Sequence, residues 1–210
     1  MTRIDDLKRL ALQGDEESQY QLAVEYLGIG DTPHAIEWLE KISLVSSHSR
    51  YGKSISYLAQ FHEDGVYPGF SEEQNRAEAV RLFMMIVGDP NSVISRLHLG
   101  LLYCEGIGVK HNPSEGKRLI EESIHQLINE DNNDSYLSAY ECSRIGSVYC
   151  DGLINIDKNP SISDLEEAKK YFEKAINRWK DKYDSERKRM NLDKILLAKV
   201  NKKLDDAAKK

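Results

Sequence analysis

The sequence predicts an all-α fold, a solenoid of stacked two-helix units, and three observations predict it. A phrase recurs four times: an aliphatic residue, a small one, two variable residues, then an aromatic and a glycine. The copies begin at Leu22, Leu58, Leu99 and Ile145, so their starts lie 36, 41 and 46 positions apart. A drifting period of that size marks repeated helix-turn-helix units rather than one closed core. A second pattern follows each copy at helical spacing, and the two ends of the chain depart from both patterns, as capping elements do.

Residues 1–14 hold Ile4, Leu7, Leu10 and Ala11 before Gly14, the apolar face of a single N-terminal capping helix. Repeat one occupies 15–49, repeat two 50–90, repeat three 91–130 and repeat four 135–181. Each opens with a helix A that carries the phrase. The clearest copy is Leu99-Gly100-Leu101-Leu102-Tyr103-Cys104-Glu105-Gly106. The small residue after the aliphatic one is Ala23, Ala59, Gly100 or Gly146, and it marks the point where a second helix crosses closely. Glycine costs roughly 1 kcal/mol in a helix interior, so close packing must offset that loss. The glycine after the aromatic (Gly28, Gly65, Gly106 and Gly152) then ends helix A in the left-handed conformation.

Helix B follows. Thr32-Pro33, Asn112-Pro113-Ser114-Glu115 and Ser163-Asp164-Leu165-Glu166 supply its start signals. Its buried face reads Ala35, Trp38 and Ile42; Ala79, Leu82 and Ile86; Gly116, Leu119 and Ser123; Ala168, Tyr171 and Ala175. Steps of three and seven place each trio on one side of a helix. The A–B loops vary most, with insertions at 65–70 and 153–161, and the polar run 129–134 reads as a turn between repeats three and four. Residues 182–210 form a C-terminal capping helix with Leu192, Leu196, Val200 and Leu204 inward and a polar outer face. Acids at Asp184, Glu186, Asp193, Asp205 and Asp206 dilute its basic character and argue against a membrane-surface role.

Composition narrows the function classes. The 210 residues carry 29 basic and 35 acidic side chains, a net charge of −6, which argues against nucleic acid as the main partner. The N-terminus lacks the apolar core of a secretory signal and no window suits a membrane span, so a soluble, cytoplasmic chain is expected. The three cysteines, Cys104, Cys142 and Cys150, are odd in number and without paired spacing, so buried free thiols are expected rather than a disulfide framework. His62-Glu63-Asp64 cannot easily converge on one metal or proton because adjacent helical residues diverge. Gly106-Ile107-Gly108 follows a helix and lacks a Gly-Lys-Ser/Thr sequel, so it is no phosphate loop. Trp38 and Trp179 suit packing, and no nucleophile motif, metal set or cofactor motif is present in the sequence.

These residues resemble the Sel1-like repeat family, relatives of the tetratricopeptide repeats. The resemblance is closest from Leu99-Gly100 through Gly106-Ile107-Gly108-Val109 to Asn112-Pro113, and it extends to Ser18-Gln19-Tyr20-Gln21-Leu22 and Ala168-Lys169-Lys170-Tyr171. Repeat one lacks the long loop, His62 stands where an aromatic is expected, and Gly116 and Ser123 replace alanines. The resemblance implies a right-handed α-α superhelix, used as an adaptor or scaffold in a bacterial-type cytoplasm, with no chemistry of its own. By analogy with tetratricopeptide relatives, helix A lines a concave groove. That placement gives Lys53, Ser56, Gln60, Glu63 and Asp64 in repeat two, Leu97, Leu101, Cys104 and Glu105 in repeat three, and Tyr140, Ser143, Ser147, Cys150 and Asp151 in repeat four. Such a strip is apolar in the middle with acids along one edge. It suits a protein or peptide segment with apolar anchors and basic flanks. Leu97 and Leu101 equally suit packing between repeats. An immunity or inhibitor protein that sequesters a toxin or enzyme is the alternative, and an enzyme acting on cell-wall or phosphate-containing substrates is disfavoured for want of a convergent polar cluster.

Overall fold

The computed structural model describes residues 3–131, 137–155, 157–179 and 187–209, with side chains described for these except 128–131, 179 and 187–189. Among the described residues there are ten helices and no strand. The chain divides into two compact units, Met1–Arg96 and Leu97–Lys210.

The first unit holds α1 (Arg3–Leu12), α2 (Glu16–Gly28), α3 (Thr32–Ser43), α4 (Tyr51–Glu63), α5 (Glu72–Ile86) and the start of α6 (Val93–Glu105). Neighbours in sequence pack on one another: α1 on α2, α2 on α3, α3 on α4 and α4 on α5. Asp15 caps α2, accepting from the Ser18 N–H at 2.8 Å, and Asp31 caps α3 ahead of Pro33. A reciprocal Ser71–Gln74 box starts α5. The expected trios are interior: Ala35 and Ile42 are fully buried, Trp38 is nearly so, and Ala79, Leu82 and Ile86 line the next pair. Lys41 covers the Trp38 ring, its Nζ 4.2 Å from the centroid.

One turn differs from expectation. Gly65, Gly106 and Gly152 take positive φ, but in repeat one the left-handed residue is Gly30 (φ 77°) and Gly28 stays helical. The reason is a single extra residue. Gly65, Gly106 and Gly152 stand three places after His62, Tyr103 and Tyr149, whereas Gly30 stands four after Tyr26. Repeat two fills its aromatic position with His62. That ring is buried, stacked on Tyr67 with centroids 3.9 Å apart and edge-on to Phe70 at 4.9 Å. Its Nδ1–H donates to Asn75 Oδ1 at 2.7 Å, and Tyr67 donates its hydroxyl proton to Glu40 on α3. The insertion after α4 is thus pinned to α3 through Tyr67 and to α4 through the His62 ring, which itself is bonded to α5. Burial lowers the His62 pKa, so the ring is held neutral.

The second unit holds the rest of α6, then α7 (Pro113–Asp131), α8 (Ala139–Cys150), α9 (Ile162–Trp179) and α10 (Arg187–Ala208). Here glycine is a steric requirement. A Cβ on Gly100 would lie 2.9 Å from the Gly116 carbonyl oxygen and from Ile120 Cγ1, and one on Gly146 would lie 3.0 Å from the Phe172 ring. Gly116, a departure from the family's alanine, is explained by Cys104, whose Sγ a Cβ would overlap. The start of α9 lies earlier than the sequence signal. Ser161 and Asp164 form the reciprocal cap, with Ser161 N–H donating to Asp164 Oδ2 at 2.8 Å and Asp164 N–H to Ser161 Oγ at 3.1 Å. A Ser138–Glu141 box starts α8. Of the turn expected at 129–134, residues 129–131 are instead the end of α7 and the rest lies outside the described residues, while Trp179 lies outside the described side chains.

The closing helix packs on α9 and α8. Its inward face differs from the expected stripe. Val200 and Asp193 are fully buried, while Leu192 and Ile195 are 53% and 66% exposed. Steps of four advance about 40° each around a helix, so a stripe from Leu192 to Leu204 cannot stay on one side. Seven residues make nearly two whole turns, which places Asp193 beneath Val200. Its carboxylate accepts from Ser143 Oγ at 2.5 Å.

Candidate binding cleft

In the first unit the helices A line a cleft of about 580 Å³. Tyr20 comes from α2; Lys53, Ser56, Tyr57 and Gln60 come from α4; Ile94 and Ser95 come from α6. Ser49, Arg50 and Gly52 close it where α4 begins, and Asp89, Asn91 and Ser92 where α6 begins. The positions on α4 are i, i+3, i+4 and i+7, one face of the helix.

The walls are held by polar contacts between successive repeats. Arg50 donates from Nε and Nη2 to Glu17 Oε2 at 2.8 and 2.6 Å, which holds the Glu17 carboxyl below its ordinary pKa. His48 is buried; its Nδ1 accepts from the Arg50 N–H at 2.9 Å, so its Nε2–H is the donor to Gln19 Oε1 at 3.2 Å. Tyr20 and Tyr57 stand with ring centroids 6.5 Å apart, and burial raises the Tyr20 hydroxyl to about 12. Arg50 and Lys53 lie 5.5 and 5.9 Å from the Tyr20 centroid. Ser56 Oγ accepts from Ser95 Oγ at 2.8 Å and from Gln60 Nε2 at 3.3 Å.

Of the residues placed in a groove by sequence, Lys53, Ser56 and Gln60 come together in this cleft. Glu63 and Asp64 stand outside its lining; Asp64 closes α4, its N–H donating to the Gln60 carbonyl oxygen. Leu97 and Leu101 are fully buried, so neither offers an apolar anchor to a partner: they are core. Cys104 and Cys150 are also interior, and all three cysteines are free thiols, with burial pushing Cys104 up to about 12 and Cys142 to about 11.

The second unit uses its candidate polar residues internally. Glu105 accepts from Arg144 at 2.8 Å in a pair whose side chains are 19% and 12% exposed. Arg144 also reaches His98 Nδ1 at 3.5 Å, and His98 Nε2 meets Glu141 Oε1 at 3.4 Å. Burial works to raise the Glu141 carboxyl, but His98 and the Ser138 N–H outweigh it and hold the pKa below its ordinary value. Tyr140 lies under Arg144 at 5.8 Å, Ser143 is bound to Asp193, Ser147 is half-buried, and Asp151 pairs with Lys199 of α10 at 3.6 Å. The acid edge expected to attract basic segments is therefore matched, at Glu105 and Asp151, by the chain's own cations. Tyr57 stands four residues after Lys53 and Tyr20 holds in repeat one the place of Ser56, 36 residues earlier, so both could have been read from sequence. Asp89, Asn91 and Ser92 sit in a B–A turn that carries no motif.

Among the described residues no cluster of three His, Cys, Asp or Glu side chains could hold a metal ion, and no helix is long and apolar enough to cross a membrane. Paired helices of alternating A and B type, close-packed through small residues and offering a cleft on successive helices A, define a helical-repeat protein of the α-solenoid class. The Sel1 repeat family matches at residues 16–43, 52–83, 94–126 and 142–178, and the chain belongs to that family. Among solved structures it is similar to c5321, a protective antigen of uropathogenic Escherichia coli with an SLR fold, at 19% identity and a TM-score of 0.53. The match covers 84% of this chain and 33% of that one, so this chain spans about a third of its relative's length. Comparison with curated proteins gives no match. Proteins built from Sel1 repeats generally act as protein-interaction scaffolds rather than enzymes.

Proposed function

We propose that this chain is an interaction scaffold that binds an extended segment of a partner protein in the cleft of its first unit. The observation that carries this reading is the open cleft built from three successive helices A, with Lys53 and Gln60 on its wall and a tyrosine pair beside them. Side chains at fixed helical spacing give such a cleft a register, and an aromatic wall is a recurring feature of grooves that hold extended segments. Glu63 ends the same helix, Asp64 caps it, and both would meet a partner that extends past the cleft.

The test is site-specific photo-crosslinking. A benzophenone side chain is placed at Gln60 in one variant and at Arg81, an exposed residue of α5, in another. A discrete protein adduct formed in a native lysate at position 60 and absent at position 81 is the expected result. Adducts at 81 alone, or at neither position, would remove the cleft from the function.

A further inference from the structure

The same cleft discriminates by charge, an inference that rests on reading it as the partner site. Lys53, Ser56 and Gln60 all line it and all carry donors. Ser56 Oγ lies 2.8 Å from Ser95 Oγ and accepts from Gln60 Nε2, and with Ser95 as the donor between the two hydroxyls Ser56 has its own proton to give. The Gln60 amide nitrogen carries a second N–H beyond the one directed at Ser56. Lys53 is exposed and its ammonium is in no ion pair among the described residues. Of the other charged lining groups Arg50 is paired, while Asp89 keeps its negative charge and is bonded to neutral amides. Arg50 is held by Glu17, and Asp89 turns Oδ1 back onto the Asn91 N–H at 2.8 Å and the Asn91 side-chain amide at 3.2 Å.

We propose that the cleft selects an acidic segment, taking one Asp or Glu side-chain carboxylate of the partner on Lys53, Ser56 and Gln60. A carboxylate accepts several hydrogen bonds at once, and charge-assisted donors bind it more strongly than neutral ones. The Tyr20–Tyr57 pair offers the adjoining apolar residue a wall. This preference is opposite in sign to the basic segment expected from the acids along one edge of the groove positions. Two of those acids, Glu105 and Asp151, are paired internally with Arg144 and Lys199.

The test is a titration of isotopically labelled full-length protein, followed by amide chemical shifts. The probe is a blocked tetrapeptide with glutamate and leucine at its centre. Matched peptides carry glutamine or lysine in place of glutamate, and a fourth has the glutamine with a free C-terminal carboxylate. The expected result is shifts centred on residues 53–60, with the glutamine peptide binding about tenfold more weakly. The Lys53→Gln variant, changed only at an exposed position, should lose that difference while keeping its spectrum elsewhere. Tighter binding of the lysine or glutamine peptide at the cleft overturns the acidic preference and leaves the cleft as the partner site. Tighter binding of the free C-terminus overturns the side-chain source. A glutamate preference retained in Lys53→Gln overturns the role of Lys53. No shift in the cleft at millimolar peptide overturns both this inference and the reading it rests on.

Discussion

Gly116→Ala separates steric necessity from helix propensity because the two act in opposite directions. In a free helix the change stabilises by roughly 1 kcal/mol. In this chain the added Cβ would overlap Cys104 Sγ and would lie 2.7 Å from the Gly100 carbonyl oxygen and 3.0 Å from the Cys104 backbone nitrogen. Two of those three neighbours are backbone, so rotamer change cannot relieve them, and α6 and α7 must part. Overpacking of that kind costs about 1–3 kcal/mol. Because backbone cannot yield, the cost falls in the upper part of that range, about 2–3 kcal/mol; set against the propensity gain, the net loss is about 1–2 kcal/mol, or a fall in Tm of roughly 2–8 °C for a chain of this size. Gly28→Ala is the control: it is exposed, helical and has nothing within 4 Å of its added Cβ, so it should be neutral or stabilising by a few tenths. Thermal melts by circular dichroism read the net effect. Hydrogen exchange localises it, since arrays of repeats need not unfold as one. Faster exchange should be confined to the second unit, centred on α6 and α7. A Gly116→Ala protein as stable as the parent would refute the argument that the A–B crossing dictates glycine there.

Three further outcomes follow from the same geometry. The three buried thiols, with Cys104 and Cys142 raised to about 12 and about 11, should be inert to Ellman's reagent in the native protein at pH 8 and should all react in guanidinium; rapid native labelling would contradict the burial. Arg144→Met leaves Glu105 and the His98–Glu141 pair without their cation and should cost about 2–3 kcal/mol by chemical denaturation, far more than loss of an exposed pair. Burial lowers the His62 pKa from 6.5, so on acidification the unfolded chain takes up that proton before the folded one. Its contribution is complete above the unfolded value and is lost as pH falls toward the folded value. A His62→Phe variant should therefore lose less stability than the parent between about pH 7.5 and 5.5, and equal slopes would show the ring to be accessible.

The fold was legible because its determinants are local and periodic. Small residues, caps and helix-ending glycines repeat at spacings that the chain itself displays. Where local reading failed, the cause was geometric. Repeat one runs one residue further past its aromatic than the other repeats before its left-handed glycine, which is Gly30 and not Gly28, and a stripe at steps of four drifted off the buried side of α10. The α9 cap at Ser161 was obscured because Ser163, two places on, offers the same chemistry in sequence.

The candidate site was legible only in part, for a different reason. Helical spacing placed Lys53, Ser56 and Gln60 on one face, and the cleft gathers them. Charge character, however, depends on partners 33 to 48 residues away: Arg50 on Glu17, Arg144 on Glu105, Lys199 on Asp151. No window of sequence shows those pairs. An acid matched across the repeat stack no longer advertises itself to a partner, and a lysine without such a match does. A strip of side chains that reads as acidic from composition can thus have its most available charge in a lysine. In a repeat protein the partner's charge should accordingly be inferred from which side chains remain unmatched after stacking, not from which residues the groove positions carry.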